Sequence, residues 1–176
     1  MPALEQGLVQ VYAGSGKGKT TAALGLVLRA TGWRLRSCIV QFMKQQPSGE
    51  EEAVKLLSPF VHLERYGRTR FLQIDELTEE DRALARQALD RGRDVLTSGD
   101  YDLVVLDEVL TAALFGLVTV ADVLQVIDAR PPRVELVLTG RGAPEAIVTR
   151  ADLVTRMEEE KHPYARGVKA RRGIEF

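Results

Sequence analysis

Leu8-Val9-Gln10-Val11-Tyr12-Ala13-Gly14-Ser15-Gly16-Lys17-Gly18-Lys19-Thr20-Thr21 is the stretch whose reading decides the fold. Residues 8 to 13 are a short β-rich run ending at a glycine-rich turn, the pattern of a buried strand that feeds a loop. Strong helix formers follow from Lys19 to about Ala30. Ala23, Leu26, Val27 and Ala30 share one helical face, and Gly32 is placed to stop the helix. Between strand and helix, Ala13 to Thr20 keeps the spacing of a phosphate-binding loop, with Ala13 where the first glycine usually stands. Gly14, Gly16 and Gly18 let the backbone curl until successive N–H groups face a phosphate chain, and the helix N-terminus adds partial positive charge. Lys19 supplies a point charge for phosphate oxygens. Thr20 offers a hydroxyl to the magnesium ion that accompanies a nucleoside triphosphate. Ser15, Lys17 and Thr21 complete the expected contacts with the phosphates of ATP. A plain glycine-rich turn is the alternative, and the strand before and helix after argue against it.

Outward from that loop, the chain alternates strands and helices. Residues 36 to 42 read as the next strand, and 43 to 59 as a loop with a short helix, since Pro47, Gly49 and the acidic run Glu50 to Glu52 break any long period. Residues 61 to 66 make a strand. Thr78 opens a helix with Leu84, Ala85, Ala88, Leu89, Val95 and Leu96 at helical spacing, ended by Gly99. Residues 102 to 107 are almost continuously apolar and of strand length, as a parallel strand covered on both faces should be. Thr119 caps a helix carrying Val120, Val123, Leu124 and Ile127, with Pro131 and Pro132 beyond its end. Further strands are expected at Glu135 to Thr139 and Asp152 to Met157, before a cationic tail from about 161. The alternation predicts an α/β fold: a mostly parallel central sheet with helices on both faces.

The chain has 176 residues, of which 45% are hydrophobic, enough for one substantial core and too few for two. We expect residues 1–176 to form a single domain. Lys plus Arg number 24 against 25 Asp plus Glu, so no global field draws the protein to nucleic acid or to an anionic membrane. The tail carries Lys161, His162, Arg166, Lys169, Arg171 and Arg172, but little aromatic interleaving, which argues against nucleic-acid binding. Cys38 is the single cysteine, so neither an intrachain disulfide nor a cysteine zinc site can form, and a cytoplasmic setting fits. No secretory signal or membrane-spanning run is evident.

A phosphate loop needs a carboxylate to orient the metal, and Asp107-Glu108 closes the most apolar strand, at the Walker B position. On an extended chain the two side chains point to opposite sides, so either could reach magnesium. Standing alone, such a pair is usually a solvated strand end; the phosphate loop favours the functional reading. His62 and His162 have no partner at ligand spacing, which makes them poor metal ligands. Arg141, in Thr139-Gly140-Arg141-Gly142, either meets phosphates or is an exposed turn residue.

Gly14-Ser15-Gly16-Lys17-Gly18-Lys19-Thr20-Thr21-Ala22-Ala23 resembles the opening of the cob(I)yrinic acid a,c-diamide adenosyltransferases, the P-loop ATP:corrinoid adenosyltransferases. The likeness continues through Val40-Gln41-Phe42-Met43-Lys44, Val104 to Glu108, Ala129-Arg130-Pro131, Leu138 to Gly142, Lys161-His162, Gly167 to Ala170 and Gly173-Ile174-Glu175-Phe176. It therefore runs from Val9 to Phe176. The closing segment discriminates, because phosphate-loop enzymes in general have no reason to share it. The resemblance implies a P-loop NTPase (RecA-like) architecture and transfer of the 5′-deoxyadenosyl group of ATP to a Co(I) corrinoid, with triphosphate as the leaving group, in adenosylcobalamin biosynthesis or salvage. It implies catalytic roles for Lys19, Thr20 and Glu108, and magnesium on Thr20 and Glu108 with Asp107 in support. It also implies a homodimer and an electron-transfer flavoprotein as reductant. One departure stands out: relatives place Gly-Phe-Thr-Trp, with aromatics near the corrin, where this chain has Gly67-Arg68-Thr69-Arg70. Phe71 can substitute for those rings, or Arg68 and Arg70 can meet a corrinoid side chain or phosphate. The segment before the first strand is also short beside relatives with an extra leading helix. The runner-up reading is a conventional ATPase or kinase acting at the γ-phosphate; a nucleotide-responsive binding protein is a third.

Overall fold

The computed structural model describes residues 4–68 and 74–176. Six strands form one sheet: β1 (Val9–Ala13), β2 (Ser37–Phe42), β3 (Val61–Tyr66), β4 (Leu103–Asp107), β5 (Glu135–Gly140) and β6 (Leu153–Arg156). Their spatial order is β3-β2-β4-β5-β1-β6, and every pairing is parallel. The helices are α1 (Lys19–Gly32), α2 (Gly49–Leu56), α3 (Glu79–Thr97), α4 (Val109–Leu114), α5 (Val120–Asp128) and α6 (Glu145–Arg150).

The two-residue period of a strand divides the core into two layers. Cys38 and Val40 of β2, Val104 and Leu106 of β4, and Leu136 and Leu138 of β5 face one side, with Ala85, Leu89 and Leu96 of α3 and Ile147 of α6. Ile39, Leu103, Val105 and Val137 face the other, with Ala23, Val27 and Ala30 of α1. Leu106, Leu136 and Leu138 have no exposed surface, and burying each such side chain contributes about 1.5–3 kcal/mol. On α3, Gly92 admits the sheet closely, because a Cβ there would lie 2.7 Å from Leu106 Cδ2.

The expected strands and long helices are all present, with ends moved by a residue or two. α3 and α5 both begin in capping boxes, Thr78 with Asp81 and Thr119 with Asp122. The six-residue helices α4 and α6 fall where the sequence reading assigns no element. α4 is short and almost wholly apolar, with Val109, Leu110, Thr111 and Ala112 buried in succession, which leaves no periodic signal.

Because the strands are parallel, their carboxyl ends converge on one edge of the sheet, where α/β folds place ligands. Ala13, Phe42, Asp107 and Gly140 end there. β1 and β4 are not neighbours: β5 lies between them. The phosphate loop and the acidic strand end are thus separated by the width of one strand.

Candidate active site

The loop 14–18 is shaped by the backbone that leaves β6. Met157 N–H donates to Ala13 O at 2.8 Å, and Gly16 N–H donates to Met157 O at 2.8 Å. A Cβ at Gly14, where φ is 118°, would stand 2.2 Å from Met157 O, and one at Gly16 would lie 2.7 Å from the Glu158 carbonyl carbon. Glycine is therefore required here by the packing as well as by the curl. Lys19, the first residue of α1, is buried, and its Nζ donates to Gly16 O at 2.7 Å. Ser15, Lys17 and Thr21 are exposed.

Asp107 is 1% exposed and is the hub of the site. Its Oδ1 accepts from Thr20 Oγ1 at 2.9 Å and from Thr139 Oγ1 at 2.7 Å, while Oδ2 accepts from Gln41 Nε2 at 3.0 Å. The Thr139 hydroxyl bridges both acidic residues, because it also accepts the Glu108 N–H at 2.9 Å. The loop itself reaches the acid through the Thr20 hydroxyl, across the width of β5.

Glu108 does not continue the strand, contrary to the extended pair expected from sequence. Its φ of 65° is left-handed, and it stands at the N-terminal cap of α4. Both acidic residues therefore serve the same cleft. Thr111 Oγ1 donates to Glu108 Oε2 and accepts the Arg141 N–H at 2.9 Å. Burial pushes the Glu108 carboxyl above its ordinary range; the Thr111 hydroxyl opposes this, the Asp107 charge adds to it, and Lys19 and Arg141 pull it down. Met43 is the other left-handed residue of the cleft, with φ of 55°. Gly67 packs on its peptide, where a Cβ would come within 2.4 Å of Lys44 N.

Two cavities meet at these residues. One, of about 350 Å³, has Thr20, Asp107, Glu108 and Thr111 on its polar side, Phe42, Met43, Phe115 and Phe176 on its apolar side, and Lys44, Arg68 and Arg141 around it. The other, of about 410 Å³, lies over Lys17 to Thr21 and is bounded by Gly49, Glu50, Glu108 and residues 173–176. Arg141 thus stands in the cleft wall. Arg68 also lines the cleft, but its guanidinium is turned to the start of α3, with Nε 3.0 Å from Asp81 Oδ1 and Nη2 2.6 Å from Glu80. Tyr66 donates to Glu64 at 2.8 Å. Arg70 and Phe71 lie outside the described residues. His62 pairs with Glu64 at 3.2 Å, and His162 Nδ1 accepts the Tyr164 N–H at 3.2 Å. Among the described residues, no group of three or more His, Cys, Asp or Glu side chains is placed to hold a metal.

Gln41, Thr111, Phe115 and Thr139 join the site without having been singled out as site residues from the sequence. Gln41 had one signal: it pairs in register with Asp107 across β2 and β4, as a polar residue on an otherwise apolar strand. Glu175 belongs with them. It accepts from Lys17 Nζ at 3.0 Å and from the Arg171 N–H at 2.7 Å, and the Arg171 hydrogen bonds, followed by that from Lys17, hold its carboxyl down at about 2.

Comparison with known proteins agrees with this geometry. The family model described as ATP:corrinoid adenosyltransferase BtuR/CobO/CobP matches residues 5–176. A corrinoid adenosyltransferase of Pseudomonas aeruginosa is 37% identical over 172 residues, covering 98% of this chain and 85% of the relative. The corrinoid adenosyltransferase of Escherichia coli K12 and the corrinoid adenosyltransferase CobA of Salmonella typhimurium are each 34% identical over 173 residues, covering 98% of this chain and 87% of the relative. With a phosphate loop, an acidic strand end and a deep cleft on one edge of a parallel sheet, and with this likeness along its whole length, the chain belongs to the ATP:corrinoid adenosyltransferase family.

Proposed function

We propose that Gly14, Ser15, Gly16, Lys17, Gly18, Lys19, Thr20 and Thr21 grip the triphosphate of ATP as a leaving group, while the apolar cleft beside them receives the corrinoid. The family reaction sets the demands on such a site. The Co(I) electron pair of the corrinoid attacks the 5′-carbon of ATP, a Co–C bond forms, the C5′–O5′ bond breaks, and its electron pair departs on the triphosphate. Cobalt is left formally as Co(III). No proton must be removed from the nucleophile, so no general base is needed. What the protein must supply is charge placed where the leaving group becomes more negative. Lys19 and the loop amides are the groups for that work.

The observation that carries this reading is the contact of Thr20 Oγ1 with Asp107 Oδ1 at 2.9 Å, which brings the loop hydroxyl and the acidic strand end into one site. Its donors are all hard oxygens, the set that Mg²⁺ prefers. Thr20 and Glu108 would hold the ion, with Asp107 fixing the Thr20 hydroxyl. When bound, Mg²⁺ supplies further charge neutralisation on the triphosphate. Phe115 and Phe176, backed by the buried Phe42, provide the apolar wall for a corrin ring, in place of the aromatics absent at Arg68. The same reading takes residues 1–176 as one domain, acting as a cytoplasmic homodimer with an electron-transfer flavoprotein as reductant. The product, an adenosylated corrinoid, fits adenosylcobalamin biosynthesis or salvage.

Product analysis tests the site. With ATP, Mg²⁺ and a chemically reduced corrinoid, the expected products are an adenosylated corrinoid and intact triphosphate. ADP and phosphate would instead identify chemistry at the γ-phosphate and overturn the proposal.

A further inference from the structure

Lys17 belongs to the loop assigned above to the triphosphate, yet its ammonium is held by another part of the chain. Nζ lies 3.0 Å from Glu175 Oε1 and 3.2 Å from Ile174 O. The same carboxylate accepts from the Arg171 main-chain N–H at 2.7 Å and from its guanidinium Nε and Nη2 at 3.2 and 3.0 Å. Beyond Glu175, Phe176 approaches the start of α2: a Cβ on Gly49 would be 3.9 Å from its carbonyl group. Residues 173–176 thus cross from the phosphate loop to α2 and bound the cavity over Lys17 to Thr21. Residues 164–174 are exposed throughout and pair with no strand. This strap has little apolar burial of its own, so its position depends heavily on the charged contacts at Glu175.

A carboxylate that accepts from the lysine of a phosphate loop offers that cation what a phosphate would offer. A phosphate entering the cavity competes with this carboxylate for the Lys17 ammonium, and the two anions repel each other there. We propose that Glu175 is a positioning residue of the adenosyl transfer: held on the strap by Arg171, it keeps Lys17 in the place of phosphate, gives it up when a triphosphate enters, and reclaims it as the triphosphate product leaves. The strap then opens on binding and its return aids release. This inference rests on the reading that loop 13–20 grips the triphosphate.

The probe is inorganic triphosphate with Mg²⁺, titrated calorimetrically into the whole protein, wild type and Glu175→Gln. Removing the competing charge while keeping the side-chain shape should tighten triphosphate binding about five- to tenfold, as expected for like charges near a solvated surface. Product inhibition by triphosphate should strengthen in proportion, and Glu175→Asp should restore wild-type behaviour. A carboxylate that merely braced the fold would yield equal or weaker binding in Glu175→Gln, and that outcome overturns the proposal. A wild-type protein that binds no triphosphate overturns the loop reading itself, and this inference with it. Trypsin gives an independent measure: saturating triphosphate should speed cleavage after Lys169, Arg171 and Arg172, whereas unchanged or slower cleavage counts against strap opening.

Discussion

Replacing Thr139 with valine keeps the side-chain shape and the β-branched stem of a strand residue while deleting one hydroxyl. Ordinary packing logic makes this nearly harmless, because Thr139 is fully buried and valine fills the same space. The hydrogen-bond geometry predicts otherwise. The hydroxyl donates to the buried Asp107 carboxylate at 2.7 Å and accepts the Glu108 N–H at 2.9 Å. Leaving the N–H unpaired costs about 1–3 kcal/mol, and losing a hydrogen bond to a charged group costs about 1.5–3 kcal/mol. Thr20 still donates to the same carboxylate oxygen, so the lower half of that sum applies, about 2.5–4 kcal/mol. Small domains have about 5–15 kcal/mol in total, so the variant should fold but unfold at clearly lower urea. Thr139→Ser keeps both hydrogen bonds and loses one buried methyl, at about 1 kcal/mol. Urea unfolding of both variants, beside kcat/KM for adenosyl transfer, is the assay. We expect valine to be less stable than serine, and to lose about 10–100-fold in kcat/KM as Asp107 and Glu108 loosen. A valine variant as stable as the serine variant refutes the bridging role of Thr139.

Gly14→Ala places a Cβ 2.2 Å from Met157 O at a φ of 118°; it should cost at least about 2 kcal/mol and abolish ATP binding, and an unchanged urea midpoint contradicts this. Glu108→Gln should stabilise the nucleotide-free protein at neutral pH, because a carboxyl whose pKa is raised by burial favours folding when protonated and opposes it when ionised. That gain should fade as the pH falls through the raised value of the folded state and be gone below the ordinary glutamate value of 4.5, and a gain independent of pH would show that charge is not its cause. Lys19→Ala should eliminate transfer, and an active variant would show that the loop is not the phosphate grip. Cys38→Ser should leave activity per folded molecule nearly intact while lowering stability, since Cys38 is fully buried and its thiol is pushed up to about 12, first by burial; a proportionate loss of activity would give the thiol a role.

What the sequence disclosed and what it withheld divide by distance along the chain. The strand-to-helix turn at 13–20, the helix starts at Thr78 and Thr119 and the apolar strand ending at Asp107 are local, and each lies in the structure where the residues predict it. The concealed features depend on partners far away. Nothing near Glu108 marks a left-handed residue; its N–H is held by Thr139, 31 positions on, and it opens a helix whose first four residues are buried. Gln41 and Thr20 reach Asp107 across 66 and 87 positions, and Lys17 reaches Glu175 across 158. The resemblance flagged Gly173-Ile174-Glu175-Phe176 as distinctive, but gave no reason for it; the contact with Lys17 does. The sheet order shows why a motif reading is incomplete at the centre of the site. With β5 inserted between the loop strand and the acidic strand, β1 and β4 never pair, and it is α1, packed against β4 and β5, that brings Thr20 Oγ1 to Asp107. Thr139, on the inserted strand, completes the acidic side of the site by joining Asp107 to Glu108, and its place follows from the topology of the sheet rather than from the spacing of any motif.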